Sequence, residues 1–223
     1  MAELVIESEP LPAEQFDDAA QQRHASTLGM WTFLSTEVLF FGVLFVGFYA
    51  MRLRWPVDFA QGARHLKWHL GTINTAVLLT SSFFMALAVH AASLGDRRGV
   101  GRWLLLTLAL GNLFLGIKFS EYAIEYHERL VPHWHYSGLD QPAGEPRPER
   151  LPLFMSAYFI TTGFHALHVM IGLGALATLW FMNRRGRFSR AYHTPVEMVG
   201  LYWHFVDVVW VFLFPTLYLL RHG

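Results

Sequence analysis

The chain has 223 residues, of which 53% are hydrophobic and 15% charged, against about 25% charged in an average soluble domain. Its positive mean hydropathy of +0.30 argues against an ordinary water-soluble enzyme, and its 17 basic and 17 acidic residues argue against a nucleic-acid partner, which needs a basic surface. With no cysteine, disulfide scaffolds, thiolate metal sites, iron–sulfur clusters and covalently attached c-type haem are excluded.

The first 27 residues are polar and acidic (Glu3, Glu7, Glu9, Glu14, Asp17, Asp18). They lack the basic start and short apolar core of a secretory signal, and read as a tail with a short surface helix over 13–23. Five apolar blocks follow. The first, 28–51, carries one charge, Glu37. The second, 71–92, has no Asp, Glu, Lys or Arg, and the third, 103–124, only Lys118 and Glu121. The fourth, 153–182, has no formal charge over 30 residues. The fifth, 196–220, carries Glu197 and Asp207. A helix needs roughly 20 apolar residues to cross a bilayer, so all five are predicted transmembrane helices. The fourth, about 45 Å long at helical rise, must tilt or project beyond a hydrocarbon core of about 30 Å. The segments between spans are short except 125–152, a Pro- and Gly-punctuated loop without regular structure that holds His133 and His135. The fold class is therefore an all-α integral membrane protein, one transmembrane domain over 28–223.

Sixteen of the basic residues divide eight and eight between the two sides, but the short loops 93–102 and 183–195 hold seven basic residues against one acid. That excess places the N-terminus in the cytoplasm and the C-terminus outside.

Ionisable and polar side chains at membrane depth are costly, so they carry the functional information. Glu37 lies within the first span and Asn74 early in the second. Lys118 and Glu121, three apart, can pair on one helix face. His165 and His168 share the fourth span at the same spacing. Glu197, His204 and Asp207 fall within about 80° of arc on the fifth. Interhelical hydrogen bonding explains such a polar seam. A metal or haem site at His165, His168 or His204 is a second reading; two histidines three apart do not supply ligands to opposite faces of one haem, and no complete metal-ligand set is visible. A stand-alone proton or ion relay through Glu37, Glu121, Glu197 and Asp207 is a third, although no pair of spans is broken by Gly or Pro in matching halves. Gly172, Gly174, Ala175 and Ala177 offer close helix approach in the fourth span.

Several stretches then resemble one family. Leu201-Tyr-Trp-His-Phe-Val-Asp-Val-Val-Trp-Val-Phe-Leu-Phe looks like the last helix of subunit III of haem–copper cytochrome c oxidases, and Tyr158-Phe-Ile-Thr-Thr-Gly-Phe-His-Ala-Leu-His-Val-Met-Ile-Gly its penultimate one. Thr32-Phe-Leu-Ser-Thr-Glu-Val-Leu-Phe-Phe resembles the helix bearing that family's intramembrane carboxylate. Asn74-Thr-Ala-Val-Leu-Leu-Thr-Ser-Ser, Gly95-Asp-Arg and Ser120-Glu-Tyr fit in order. The resemblance is to the five-helix form. Loop 125–152 departs from the pattern and is a candidate contact with another subunit on the outer face.

The resemblance implies an accessory subunit of a proton-pumping oxidase that reduces oxygen to water, with no catalytic centre, haem, copper or other metal of its own. Haem and copper are expected in the partner subunits I and II. The five helices are expected in two groups around a phospholipid-filled cleft, with Glu37 facing it as the buried, carbodiimide-reactive carboxylate that supports proton uptake. Asn74, Glu121, His165, His168, Glu197, His204 and Asp207 are expected in the polar seam or in lipid and subunit contacts. The expected setting is a bacterial-type cytoplasmic membrane and a cytochrome c-linked enzyme; a quinol oxidase and a nitric oxide reductase are the alternatives.

Overall fold

The computed structural model describes residues 14–128, 130–132 and 150–219. All regular structure among them is helical: α1 (Ala19–Arg54), α2 (Pro56–His65), α3 (Trp68–Ser93), α4 (Arg97–His127), α5 (Leu151–Arg184) and α6 (Thr194–Tyr218). Five of these, all but α2, are long and apolar enough to cross a membrane, and each contains one of the five apolar blocks almost entirely. The helices overrun the blocks because their end turns are polar. At 36 residues α1 is about 54 Å long, so it too exceeds the hydrocarbon core.

The expected separate surface helix over 13–23 is instead the start of α1. Asp18 caps it, its carboxylate accepting from the Gln21 amide at 2.6 Å, and the helix continues unbroken into the span. Residues 133–149, with His133 and His135, lie outside the described residues.

α3, α4, α5 and α6 form a closed four-helix bundle, in which α3 packs on α4 and α6, and α5 on α4 and α6. Tight glycine turns end α3 and α5. Gly95 (φ 76°) closes α3 to α4, and the Asp96 carboxylate accepts from the Arg98 and Gly99 amides. Gly186 (φ 74°) ends α5, and the Asn183 side chain donates to the Arg97 carbonyl at 2.9 Å, tying the end of α5 to the start of α4. Positive φ at both turns suits glycine.

Small residues seat large ones. Trp203 of α6 is fully buried against Gly172 of α5 and Gly111 of α4. Gly172 thus makes the predicted close approach, whereas Gly174 faces open space.

The helices group as four plus one. α1 lies outside the bundle and touches α2, α5 and α6 among the described residues. Only Leu34, Phe41 and Phe48, seven residues apart, are buried on it. Between α1 and α6 runs an apolar groove of about 350 Å³, lined by Val38, Phe41, Phe45, Phe205, Val209 and Phe212 among others. Near its end the Tyr49 and Thr216 hydroxyls meet at 3.1 Å.

α2 was not anticipated. Pro56 starts it, Asp58 sits in its first turn and Arg64 and His65 in its last, all favourable to a short helix. Its apolar side, Phe59, Ala60 and Ala63, is buried. Phe59 meets Phe48 of α1 and Phe154 of α5 edge-on at 5.3 and 5.5 Å, so one aromatic cluster ties α1, α2 and α5 together.

Candidate functional site

Glu37 lies at the midpoint of α1 and His168 at the midpoint of α5. The structure joins them: His168 Nε2 is 2.9 Å from Glu37 Oε2. On the other side of the ring, His168 Nδ1 lies 2.7 Å from the Phe164 carbonyl oxygen. A carbonyl only accepts, so Nδ1 carries a hydrogen. Nε2 and Oε2 therefore share one further proton, held either as a carboxylic acid donating to imidazole or as a carboxylate accepting from imidazolium. Phe40 and Phe41 flank the imidazole, with ring centroids 6.1 and 5.1 Å away, and the Tyr202 hydroxyl donates to the His168 carbonyl at 3.0 Å. Glu37 thus faces α5, and is not among the residues lining the α1–α6 groove.

A second centre lies toward one end of the bundle, near the start of α5 and the end of α6. Lys118, 1% exposed, donates to Glu121 Oε2 at 2.9 Å, to the Tyr158 hydroxyl at 2.8 Å and to the Tyr218 hydroxyl at 2.7 Å. All three ammonium donors are used. Tyr218 in turn donates to the Glu121 carboxylate at 2.8 Å. The pairing of Lys118 with Glu121 follows the spacing read from the sequence, and the tyrosines complete its shell. Glu125, placed in the loop by the sequence, is on α4 and buried, with Lys118, Glu121 and Tyr158 as its electrostatic neighbours.

The remaining candidates separate. His204 Nδ1 and the Ser82 hydroxyl are 2.7 Å apart, joining α6 to α3. Asp207 is buried beside Ser82. Asn74 and His165 are fully enclosed, and His165 packs against Phe114 and Trp210 with ring centroids 5.7 and 5.2 Å away. Glu197 belongs to none of these. It sits in the first turn of α6, partly exposed, and pairs with His193 at 3.1 Å. The arc shared by Glu197, His204 and Asp207 is therefore not one seam: Val196 keeps the first turn of α6 in the core, but the neighbouring Glu197 side chain turns out of it to His193. His165, His168 and His204 have different partners and do not converge on one point, and no group of three His, Asp or Glu suited to a metal gathers among the described residues.

Sequence reasoning missed Tyr158, Tyr218, Ser82 and Glu125 as members of the polar core. For Glu125 a signal existed: it continues the buried stripe Lys118, Glu121 at helical spacing.

These features define a polytopic helical membrane protein with an intramembrane carboxylate–imidazole pair and a polar bundle core. Its sequence matches the family described as cytochrome c oxidase subunit III over residues 15–128 and 152–221. It is 34% identical over 208 residues to cytochrome c oxidase subunit 3 of Thermostichus vulcanus, covering 92% of each chain. It is 36% identical over 214 residues to that of Corynebacterium diphtheriae, covering 92% of this chain and 96% of the relative. It is also 31% identical over 196 residues to quinol oxidase subunit 3 of Bacillus subtilis, covering 88% and 87%. The chain belongs to the cytochrome c oxidase subunit III family.

Proposed function

We propose that this chain is the non-redox accessory subunit of a proton-pumping respiratory terminal oxidase in a bacterial-type cytoplasmic membrane, with its N-terminus in the cytoplasm. Haem and copper reside in the catalytic partner subunits I and II, against which the chain packs. The observation that carries the reading is the Glu37–His168 pair. It joins a carboxyl and an imidazole at the middle of two spans, and its histidine ring is oriented by a backbone carbonyl. Such a pair can take up and return a proton without a redox centre of its own, which suits support of sustained proton uptake by a neighbouring catalytic subunit.

The apolar α1–α6 groove supports phospholipid binding. Its apolar, aromatic lining suits an acyl chain, and the outward face of α1, with Leu39, Val43 and Val46 exposed, suits lipid or a partner helix. Lipid there would also anchor α1, which has few protein contacts of its own.

Glu37→Gln in the assembled oxidase tests this. The variant keeps an acceptor for hydrogen bonding but cannot exchange a proton. Haem content per complex should stay at the wild-type level, while the complex inactivates after fewer turnovers or takes up protons more slowly. Loss of haem, or unchanged uptake and durability, would count against the role. The electron donor is cytochrome c in this reading. The similarity to a relative named as a quinol oxidase subunit favours quinol as the second reading.

A further inference from the structure

Besides Glu125 beside the Lys118 cluster, three polar side chains inside the four-helix bundle are enclosed by protein yet bonded to none of it. Asn74 of α3, His165 of α5 and Asp207 of α6 are 0%, 1% and 3% exposed. None of their six polar side-chain atoms makes a hydrogen bond to another protein group.

Shared neighbours place the three at adjacent levels of the bundle. Trp210 of α6 marks the layer: its ring packs on His165 with centroids 5.2 Å apart, and its Nε1 donates at 3.1 Å to the hydroxyl of Thr75, the neighbour of Asn74. Phe114 of α4 closes the same layer, 4.9 Å from Trp210 and 5.7 Å from His165. Asp207 precedes Trp210 by three residues, so it sits about one helical turn, roughly 5 Å, further along the same face. At its other side is Ser82, which bonds His204.

The chemistry of the set selects its ligand. The Asn74 amide offers two donor hydrogens and an accepting oxygen, a neutral imidazole one donor and one acceptor, and the Asp207 carboxyl oxygens accept. A cation would satisfy the oxygens and repel the amide and imidazole N–H groups. An apolar ligand would satisfy neither. Water both donates and accepts, and buried water makes about three hydrogen bonds to otherwise unmet polar groups. Six such atoms therefore require about two waters or more.

We infer that Asn74, His165 and Asp207 line an internal water-binding site that bridges α3, α5 and α6 in the core of the bundle. The site is separate from the Glu37–His168 pair, which lies between α1 and α5. It lies between the Lys118 cluster and the Ser82–His204 contact, so its waters extend the hydrogen-bonding core of the bundle between them.

The test is a density map of the intact detergent-purified oxidase, at a resolution where waters bound to exposed backbone carbonyls of this chain are visible. At least two ordered peaks should appear within about 2.6–3.2 Å of atoms of Asn74, His165 and Asp207. Direct side-chain bonds among the three with no peak between them, or a dry gap, would overturn the inference, as would a peak coordinated by oxygens alone at metal distance. A map of the Asp207→Leu complex should lose the peak nearest residue 207 and keep that between Asn74 and His165. In Asp207→Asn both should remain. Loss of all peaks in Asp207→Asn would also contradict the assignment.

Discussion

Replacing Lys118 by Met removes the ammonium that three groups share, and leaves the Glu121 carboxylate with Tyr218 as its remaining hydrogen-bond donor among those three. Removing one member of a buried ion pair typically costs about 3–5 kcal/mol, because the other charge stays buried without compensation. The two tyrosines are less exposed to this loss, since their hydroxyls lie 3.4 Å apart and can bond each other. Tyr158→Phe, which deletes one bond to Lys118, should cost about 1.5–3 kcal/mol, and Tyr218→Phe more, because Tyr218 bonds both Lys118 and Glu121. Lys118→Met with Glu121→Met removes both charges and leaves the tyrosines to each other. That double variant should therefore be closer to wild type than Lys118→Met alone, with a coupling of about 1–3 kcal/mol. The assay is the midpoint of heat-induced loss of this chain from the purified complex, measured for these four variants and for Glu121→Met side by side. Equal midpoints for Lys118→Met and wild type, or a double variant that shows the full sum of the single losses, would refute the argument that the pair is held by mutual compensation.

Gly172→Ala sets a methyl about 2.9 Å from the Trp203 ring and should destabilise by about 1–3 kcal/mol, whereas Gly174→Ala meets nothing within 4 Å and should be neutral or better by up to about 1 kcal/mol; paired thermal melts of the complex compare them. Phe59→Ala empties the ring cluster joining α1, α2 and α5, and should cost about 3–5 kcal/mol and increase hydrogen exchange in α2. His65, on α2 outside the spans, has its pKa held below 6.5 by burial, with Glu128 opposing and Lys67 reinforcing the shift. The unfolded chain thus binds a proton that the folded chain refuses, so this contribution is intact above about pH 6.5 and is lost as the pH falls through the lower folded value. Melts of the complex between pH 7 and 5 should fall less steeply in His65→Gln than in wild type, and parallel slopes would contradict this.

What the sequence revealed followed from physics that acts locally. A span needs only an uninterrupted apolar run, so all five were legible. Their ends were not, because the polar end turns of α1 and α4 are helical without being apolar. Lys118 and Glu121 were legible as a pair since helical spacing alone brings them together. Glu37 and His168 are 131 residues apart, and only the docking of α1 on α5 joins them. The same holds for Tyr218 on Glu121 and His204 on Ser82. α2 escaped notice because ten residues with four of them buried give too short a pattern to stand out from a loop. The arc through Glu197, His204 and Asp207 misled for the opposite reason: periodicity is blind to the local partner, here His193, that a side chain finds at a helix end.

The central claim is that this chain is an accessory part of an oxidase and binds no redox group itself. Visible spectra of the purified chain and of the native complex, with a census of subunits in each, test it most directly. A colourless chain, recovered from native membranes in constant ratio with a haem–copper subunit, is the predicted result. A haem Soret band from the purified chain alone would contradict it, and would assign a ligand role to His165, His168 or His204.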